Sequence, residues 1–310
     1  MSKTVLMFPG QASQYVGMAQ DLHNNFEEVR NLYKLASDEL AEDIAKLSFE
    51  GPADKLKQTR FTQPAILLHS LAVLTALKES LPQFDYACGH SLGEYSALAA
   101  TGAMSFELAI KAVVKRASLM EQACLESPGS MAAIIGLTEE KVLEICRKAS
   151  KSGVVVPANF NSKSQIVISG SVEAVKVATE IAKSEGARRA MILEVGGAFH
   201  SPLMEPAKSG MQQFLKDADI KSSAVPVIAN VTAKPAESSA EIKQLLVAQI
   251  TSPVKWSQTM SYLVSNDCTN VIEIGPGKVL AGMAKRDMSA EKITNLDTIK
   301  DIESLAAVSV

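Results

Sequence analysis

The sequence predicts an α/β protein in two parts: a large domain on a parallel sheet, and a smaller β-α-β-β-α-β unit inserted into it. Three observations point there. Short β-rich runs alternate with longer helical patterns toward both ends of the chain, as in strands joined by crossover helices. Between Ser127 and Val195 the rhythm changes to paired strands. Near Ser91, two glycines flank a serine where an apolar run gives way to small helix-forming residues.

The first run, "KTVLMF", is a strand that stops at Pro9 and Gly10. It is too short for a signal or membrane segment and reads as a buried first strand. Helical patterns follow near 17–48 and 64–80, then "YACGH" as a strand, then further helix. In the middle, "GSMAAIIG" reads as a strand, "TEEKVLEICRKAS" as a helix, and "VVVPANF" and "QIVISG" as strands joined through "NSKS". "VEAVKVATEIAKSEGA" is the second helix and "RRAMILEV" the fourth strand. That order is ferredoxin-like. After Gly196 and Gly197 the first rhythm resumes with "VPVIANV", a helix at "AEIKQLLVAQI", "NVIEIG", and a final strand and helix. The expected organisation is a large domain of residues 1–126 and 197–310 with an inserted subdomain of residues 127–196, and a cleft between them.

Composition narrows the function. With 310 residues, 47% hydrophobic and 21% charged, the chain can bury a sizeable core. The net charge is −3 and the basic residues are dispersed, which argues against nucleic acid as a partner. Cys88, Cys124, Cys146 and Cys268 lie far apart without CxxC spacing, which argues against a zinc site or a disulfide framework. No metal, cofactor or membrane is expected, and a reducing cytoplasm is the natural setting.

Gly89-His90-Ser91-Leu92-Gly93 fits G-x-S-x-G with a strand before it and a helix after it, the setting of a nucleophile elbow in an α/β-hydrolase-like fold. The helix start turns free N–H groups toward the serine, and the Leu92 N–H is a natural oxyanion donor. A serine nucleophile needs a base, and the chain has four histidines. His90 adjoins Ser91 and should point into packing, while His23 and His69 fall in helical patterns that suit surface or core roles. His200, in "EVGGAFHSPLM", follows a strand and two glycines where the inserted unit returns to the large domain, so it can reach the cleft. An acid to orient it is hard to place: the hydrolase order puts the histidine late, and no HGGG-type loop is present, which argues against an ordinary lipase or esterase.

"FPGQASQ" closes the first strand with a turn whose backbone can face the serine, making Gln11 a candidate second donor. Arg116 lies on an apolar helical face with Val113 and Met120, whereas Lys111 and Lys115 fall beside that stripe. A buried arginine needs an anionic partner: either a structural salt bridge or a substrate carboxylate held bidentately. "IEIGPGKVL" imitates a dinucleotide fingerprint with Asp297 at a suitable distance, but Leu280 replaces its last glycine and little chain follows, so a tight turn into a helix is expected.

Together "FPGQASQ", "TQPA", "GHSLGEYSAL", "KRASLMEQA", "MAAIIG", "NFNSKSQIVISG", "GAFHSPLM", "VPVIANV", "QITSPVKW" and "EIGPGKVLAG" resemble, in order and over nearly the whole chain, the malonyl-CoA:acyl carrier protein transacylase family. The resemblance implies a large α/β domain with an inserted ferredoxin-like subdomain, a monomer, and transfer of malonyl from malonyl-CoA to the phosphopantetheine thiol of acyl carrier protein in fatty-acid biosynthesis. It implies Ser91 as nucleophile, His200 as base and then acid, and Gln249 as the residue whose carbonyl receives the His200 ring N–H. It further implies Gln11 and Leu92 as oxyanion donors, Arg116 as the holder of the malonyl carboxylate, and Gln63, Met120, Asn159 and Phe199 as pocket residues. By the same resemblance, "AFHS" implies a preference for malonyl over a branched analogue, with Phe199 filling the space of a methyl group. Three other readings remain at this stage: a serine thioesterase or acyl hydrolase, a carrier-binding module without chemistry, and a polyketide-pathway acyltransferase. Arg188, Arg189, Lys285 and Arg286 are candidate carrier contacts.

Overall fold

The structure, a computed structural model, describes residues 2–308. In chain order its strands are β1 (Lys3–Phe8), β2 (Tyr86–Gly89), β3 (Gly129–Ile135), β4 (Val155–Ser162), β5 (Gln165–Ser171), β6 (Arg189–Ile192), β7 (Val227–Ile228), β8 (Cys268–Ile274) and β9 (Lys292–Leu296). The helices of the first third are α1 (Gln20–Asn25), α2 (Glu27–Leu40), α3 (Ile44–Glu50), α4 (Ala53–Leu56), α5 (Thr59–Leu77), α6 (Gly93–Ala100) and α7 (Phe106–Glu126). Then come α8 (Glu139–Ala149), α9 (Val172–Ser184), α10 (Glu205–Lys216), α11 (Ser239–Gln249), α12 (Trp256–Ser265), α13 (Val279–Asp287) and α14 (Ile299–Val308).

Five strands pair in parallel in the order β7-β2-β1-β8-β9. Strand β1 sits at the centre, and the apolar run that makes it a strand is divided between two cores. Leu6 and Phe8 enter one cluster with α5 and α7, and Val5 and Met7 enter the other with Trp256 and Met260. A parallel strand covered on both faces is therefore apolar without alternation. The second sheet is antiparallel, in the order β4-β5-β3-β6, with α8 and α9 packed on one face. The two sheets meet at a bridge: Phe160 N–H donates to Val254 O at 2.9 Å and Val254 N–H to Ala158 O at 2.9 Å. That bridge holds Asn159 against the parallel-sheet half of the molecule.

Several elements differ from the sequence expectation. The helical stretch near 17–48 is broken at Phe26, which is extended, and at Ala41, which has φ 51°, before Asp43 caps α3. Helix α5 begins at Thr59, five residues before the predicted 64, and carries Pro64 within it. Strand β4 runs through Ser162, leaving Lys163 and Ser164 as the link to β5. Strand β6 is four residues, because Leu193 and Val195 leave it to line the cavity described below. "VPVIANV" yields only Val227–Ile228, since Ala229 turns back to Lys234 and frees the Asn230 side chain. The glycine-rich "IGPGK" is the expected tight turn into α13, with Glu273 accepting the N–H groups of Leu280 at 3.0 Å and Ala281 at 2.8 Å.

Candidate active site

Strand β2 delivers the chain to a sharp turn at its carboxyl end, and α6 begins two residues after Ser91. Glycine is required on both sides by close approach. A Cβ at Gly93 would sit 2.2 Å from Phe8 O, and one at Gly89 would sit 2.0 Å from the Gly93 carbonyl. Ser91 itself has φ 51°, a left-handed conformation costly for a residue with a side chain. Asn230 holds the turn from the adjacent strand end: its Oδ1 accepts the Ser91 N–H at 2.7 Å and its Nδ2 donates to Gly89 O at 2.7 Å.

The Ser91 hydroxyl meets His200 Nε2 at 2.8 Å, and His200 Nδ1 lies 2.9 Å from the backbone carbonyl of Gln249. A carbonyl only accepts, so Nδ1 carries the proton and Nε2 is left to accept from the serine. His200 is 3% exposed. Burial first, and then the Arg116 charge, push its pKa down to about 3, so the ring is neutral at ordinary pH and its Nε2 lone pair is free to accept.

Arg116 comes from α7 and is fully buried. Its Nη2 donates to Ser91 Oγ at 3.0 Å and to Gln249 Oε1 at 2.9 Å, and its Nη1 donates to Gln63 Oε1. These acceptors are neutral, and among the described residues Arg116 makes no ion pair and its Nε has no partner. The structural salt bridge is therefore not what the fold provides. Glu94 acts on the Arg116 charge only from a distance, and a guanidinium without a directly bonded carboxylate beside a cavity has the chemistry to take an anion.

That cavity has a volume of about 260 Å³ and is lined by Ser91, Leu92, Arg116 and His200 together with Gln11, Gln63, Met120, Asn159 and Phe199. Gln249 lies behind it, fully buried. All the sequence-predicted site residues thus converge on one place. The Leu92 and Gln11 N–H groups are taken up by no turn or cap hydrogen bond among the described residues. The Gln11 loop is braced by Ser13 Oγ donating to Gly10 O at 2.7 Å and by Gln14 Oε1 accepting from Ala12 N–H at 2.8 Å.

Of the remaining histidines, His69 is buried on Asp297, its Nε2 2.8 Å from the backbone O, and His23 packs edge-on to Tyr33 and Phe49. His90 packs against Trp256 and pairs with Asn161 at 2.9 Å, but it also reaches the cavity wall. Arg188, Arg189, Lys285 and Arg286 are exposed and lie outside the cavity lining. The sequence reasoning missed Asn230 and Glu94. The signal for Glu94 was present: a single carboxylate in the otherwise apolar and small "SLGEYSALAA".

Residues 5–305 match the model of the acyl transferase domain family. A malonyl CoA-acyl carrier protein transacylase of Bacillus subtilis (strain 168) is 44% identical over 287 residues, covering 92% of this chain and 90% of that protein. The crystal structure of an acyl-carrier-protein-S-malonyltransferase from Bartonella henselae superposes with a TM-score of 0.94 at 39% identity, covering 99% of this chain and 100% of that one. A malonyl-transacylase in complex with its type II PKS acyl-carrier protein superposes with a TM-score of 0.93 at 36% identity, covering 99% and 100%.

Proposed function

The chain belongs to the acyl transferase domain family, and from that premise we propose that it moves a malonyl group from malonyl-CoA to the phosphopantetheine thiol of acyl carrier protein, as a cytoplasmic enzyme of fatty-acid biosynthesis. The observation that carries this reading is Arg116, a buried guanidinium without a carboxylate partner, 3.0 Å from the Ser91 hydroxyl. An enzyme for uncharged acyl chains has no use for it. The related transacylases from Bacillus subtilis and Bartonella henselae bear malonyl in their names, in agreement.

The reaction is ping-pong. Malonyl-CoA enters with its carboxylate on Arg116, and Ser91 Oγ attacks the thioester carbonyl while His200 Nε2 takes the hydroxyl proton. The tetrahedral oxyanion is held by the Leu92 and Gln11 N–H groups, each such donor contributing about 3 kcal/mol of barrier lowering. Collapse expels CoA, which leaves as the thiol with the proton from His200, and a malonyl ester remains on Ser91. The carrier thiol then gives its proton to His200 and attacks the ester, and the proton returns to Ser91 as the malonyl thioester departs. Gln249 orients the His200 ring through its backbone carbonyl, so the pair works as a dyad without a directly bonded acid. Phe199 restricts space beside the acyl carbon.

We read residues 1–126 and 197–310 as the α/β-hydrolase-like domain and residues 127–196 as the inserted ferredoxin-like subdomain, with the chain acting as a monomer. The complex of a related transacylase with a type II PKS carrier supports a carrier protein as the partner, and it keeps a polyketide carrier as the second reading. Incubation with malonyl-CoA and the phosphopantetheinylated carrier tests the function. Malonyl on the carrier is expected, whereas free malonate without loaded carrier would mean a hydrolase.

A further inference from the structure

Beneath the nucleophile turn, Glu94 on α6 is 3% exposed. Among the described residues two N–H donors meet its carboxylate, both on Oε2: the Asn230 backbone at 3.0 Å and Gln249 Nε2 at 2.8 Å. Both donors belong to residues that hold the reacting groups. Gln249 receives the His200 ring on its carbonyl and Arg116 on its Oε1, and its Nε2 also donates to Ser91 O at 3.1 Å. Asn230 grips the Ser91 turn at both Ser91 N and Gly89 O. Glu94 is therefore one residue removed from Ser91, His200 and Arg116 at once. The Gln249 amide is polarised between a guanidinium at its oxygen and a carboxylate at its nitrogen, an arrangement strengthened by low local dielectric.

We propose that Glu94 is a positioning residue for acyl transfer, acting through Gln249 and Asn230 to fix the Ser91 turn and the His200 ring, and supplying the negative charge that offsets the imidazolium formed when His200 takes the serine proton. The proposal rests on the reading of Ser91 and His200 given above. In a Ser-His-Asp triad the carboxylate touches the imidazole; here the Gln249 carbonyl occupies that place and the carboxylate stands behind it. The charged and titratable groups around Glu94 are Arg116 from α7, Tyr95 beside it on α6 and Cys88 on β2. Burial raises the Glu94 pKa to about 7, against the opposing pull of the Asn230 and Gln249 hydrogen bonds and the Arg116 charge. Its charge is thus lost as pH falls through the neutral range.

Glu94→Gln separates a charge from a mere acceptor, because a glutamine oxygen can receive the same two N–H groups in the same space. The experiment is single-turnover acylation by malonyl-CoA, followed by quenched flow across pH beside a thermal melt. The variant is expected to melt near the wild type and to acylate roughly 10- to 100-fold more slowly at saturating malonyl-CoA, the scale that outer partners of metal-site ligands carry, with little change in half-saturating concentration. The wild-type rate should fall as pH drops through about 7, and the variant should lack that acid limb, so that the two rates converge at low pH. A variant as fast as the wild type overturns the proposal, as does a slower variant that keeps the limb. Should Glu94→Gln fail to fold, a wild-type rate that is flat across about pH 6 to 8 overturns it alone. A wild type that forms no acyl-Ser91 instead removes the reading on which the proposal rests.

Discussion

Ser91 Oγ and His200 Nε2 stand 2.8 Å apart, and both residues hold left-handed backbone, φ 51° at Ser91 and 58° at His200. Each such non-glycine residue costs on the order of 1–3 kcal/mol and persists only where its surroundings enforce it. Asn230 braces the first turn, and Ser201 braces the second by donating from Oγ to Ala198 O at 2.7 Å. Two strained turns, 109 residues apart in the chain, are spent on aiming one hydroxyl at one ring nitrogen.

Removing that ring should remove the chemistry. His200→Ala is expected to slow acylation by malonyl-CoA by roughly 10²- to 10⁴-fold at neutral pH, the usual contribution of a general base. Single-turnover rates with labelled malonyl-CoA check this, and a near-normal rate would mean another base.

Arg116 should govern which acyl group is accepted. A charge-assisted bond contributes about 1.5–3 kcal/mol, so Arg116→Ala should weaken kcat/KM for malonyl-CoA by roughly ten- to more than a hundredfold while acetyl-CoA loses little. Parallel kinetics on the two thioesters measure this, and equal losses would count against the carboxylate clamp.

The buried neutral His200 also predicts an acid liability. Its folded pKa of about 3 lies below the unfolded value of 6.5, so the unfolded chain binds the extra proton first. Stability contributed by the neutral ring is present above about pH 6.5 and is lost as pH falls toward 3. The loss is at most about 1.4 kcal/mol per pH unit. Denaturant melts of the wild type and His200→Gln across this range should therefore converge on acidification, with the wild type falling faster.

Gly93→Ala should fail for steric reasons, because its Cβ would press on Phe8 O at 2.2 Å. Overpacking of this kind costs about 1–3 kcal/mol or more. A lowered melting temperature together with lost acylation is expected, and a variant with wild-type stability would show that the turn can relax.

Much of this was legible because the signals are local. The "KTVLMF" run, the glycines around Ser91 and the apolar stripe carrying Arg116 each state their structure within a few residues. His200 could be chosen because the other histidines sat in helices or beside the nucleophile. Asn230 and Glu94 were not found because their work is done at long range. Asn230 meets Ser91 across 139 residues and Glu94 across 136, so although Glu94 stands out as the one carboxylate of its segment, no neighbouring residue specifies its partner. The boundaries of β6 and β7 were missed for a related reason: Leu193, Val195 and Asn230 leave their strands for the cavity and the turn, which apolar pattern alone does not reveal. Arg116 left two partners open in the sequence; its neutral amide acceptors set aside the salt bridge and leave the substrate carboxylate as the reading proposed above.

The central claim is that the malonyl group rests on Ser91 as an ester between two transfers. The most direct measurement is intact-protein and peptide mass spectrometry after brief exposure to malonyl-CoA without carrier. One malonyl per chain is expected, mapped to the peptide containing Ser91, absent from Ser91→Ala and removed on adding the carrier thiol. An unmodified wild-type protein, or an adduct that persists in Ser91→Ala, would contradict it.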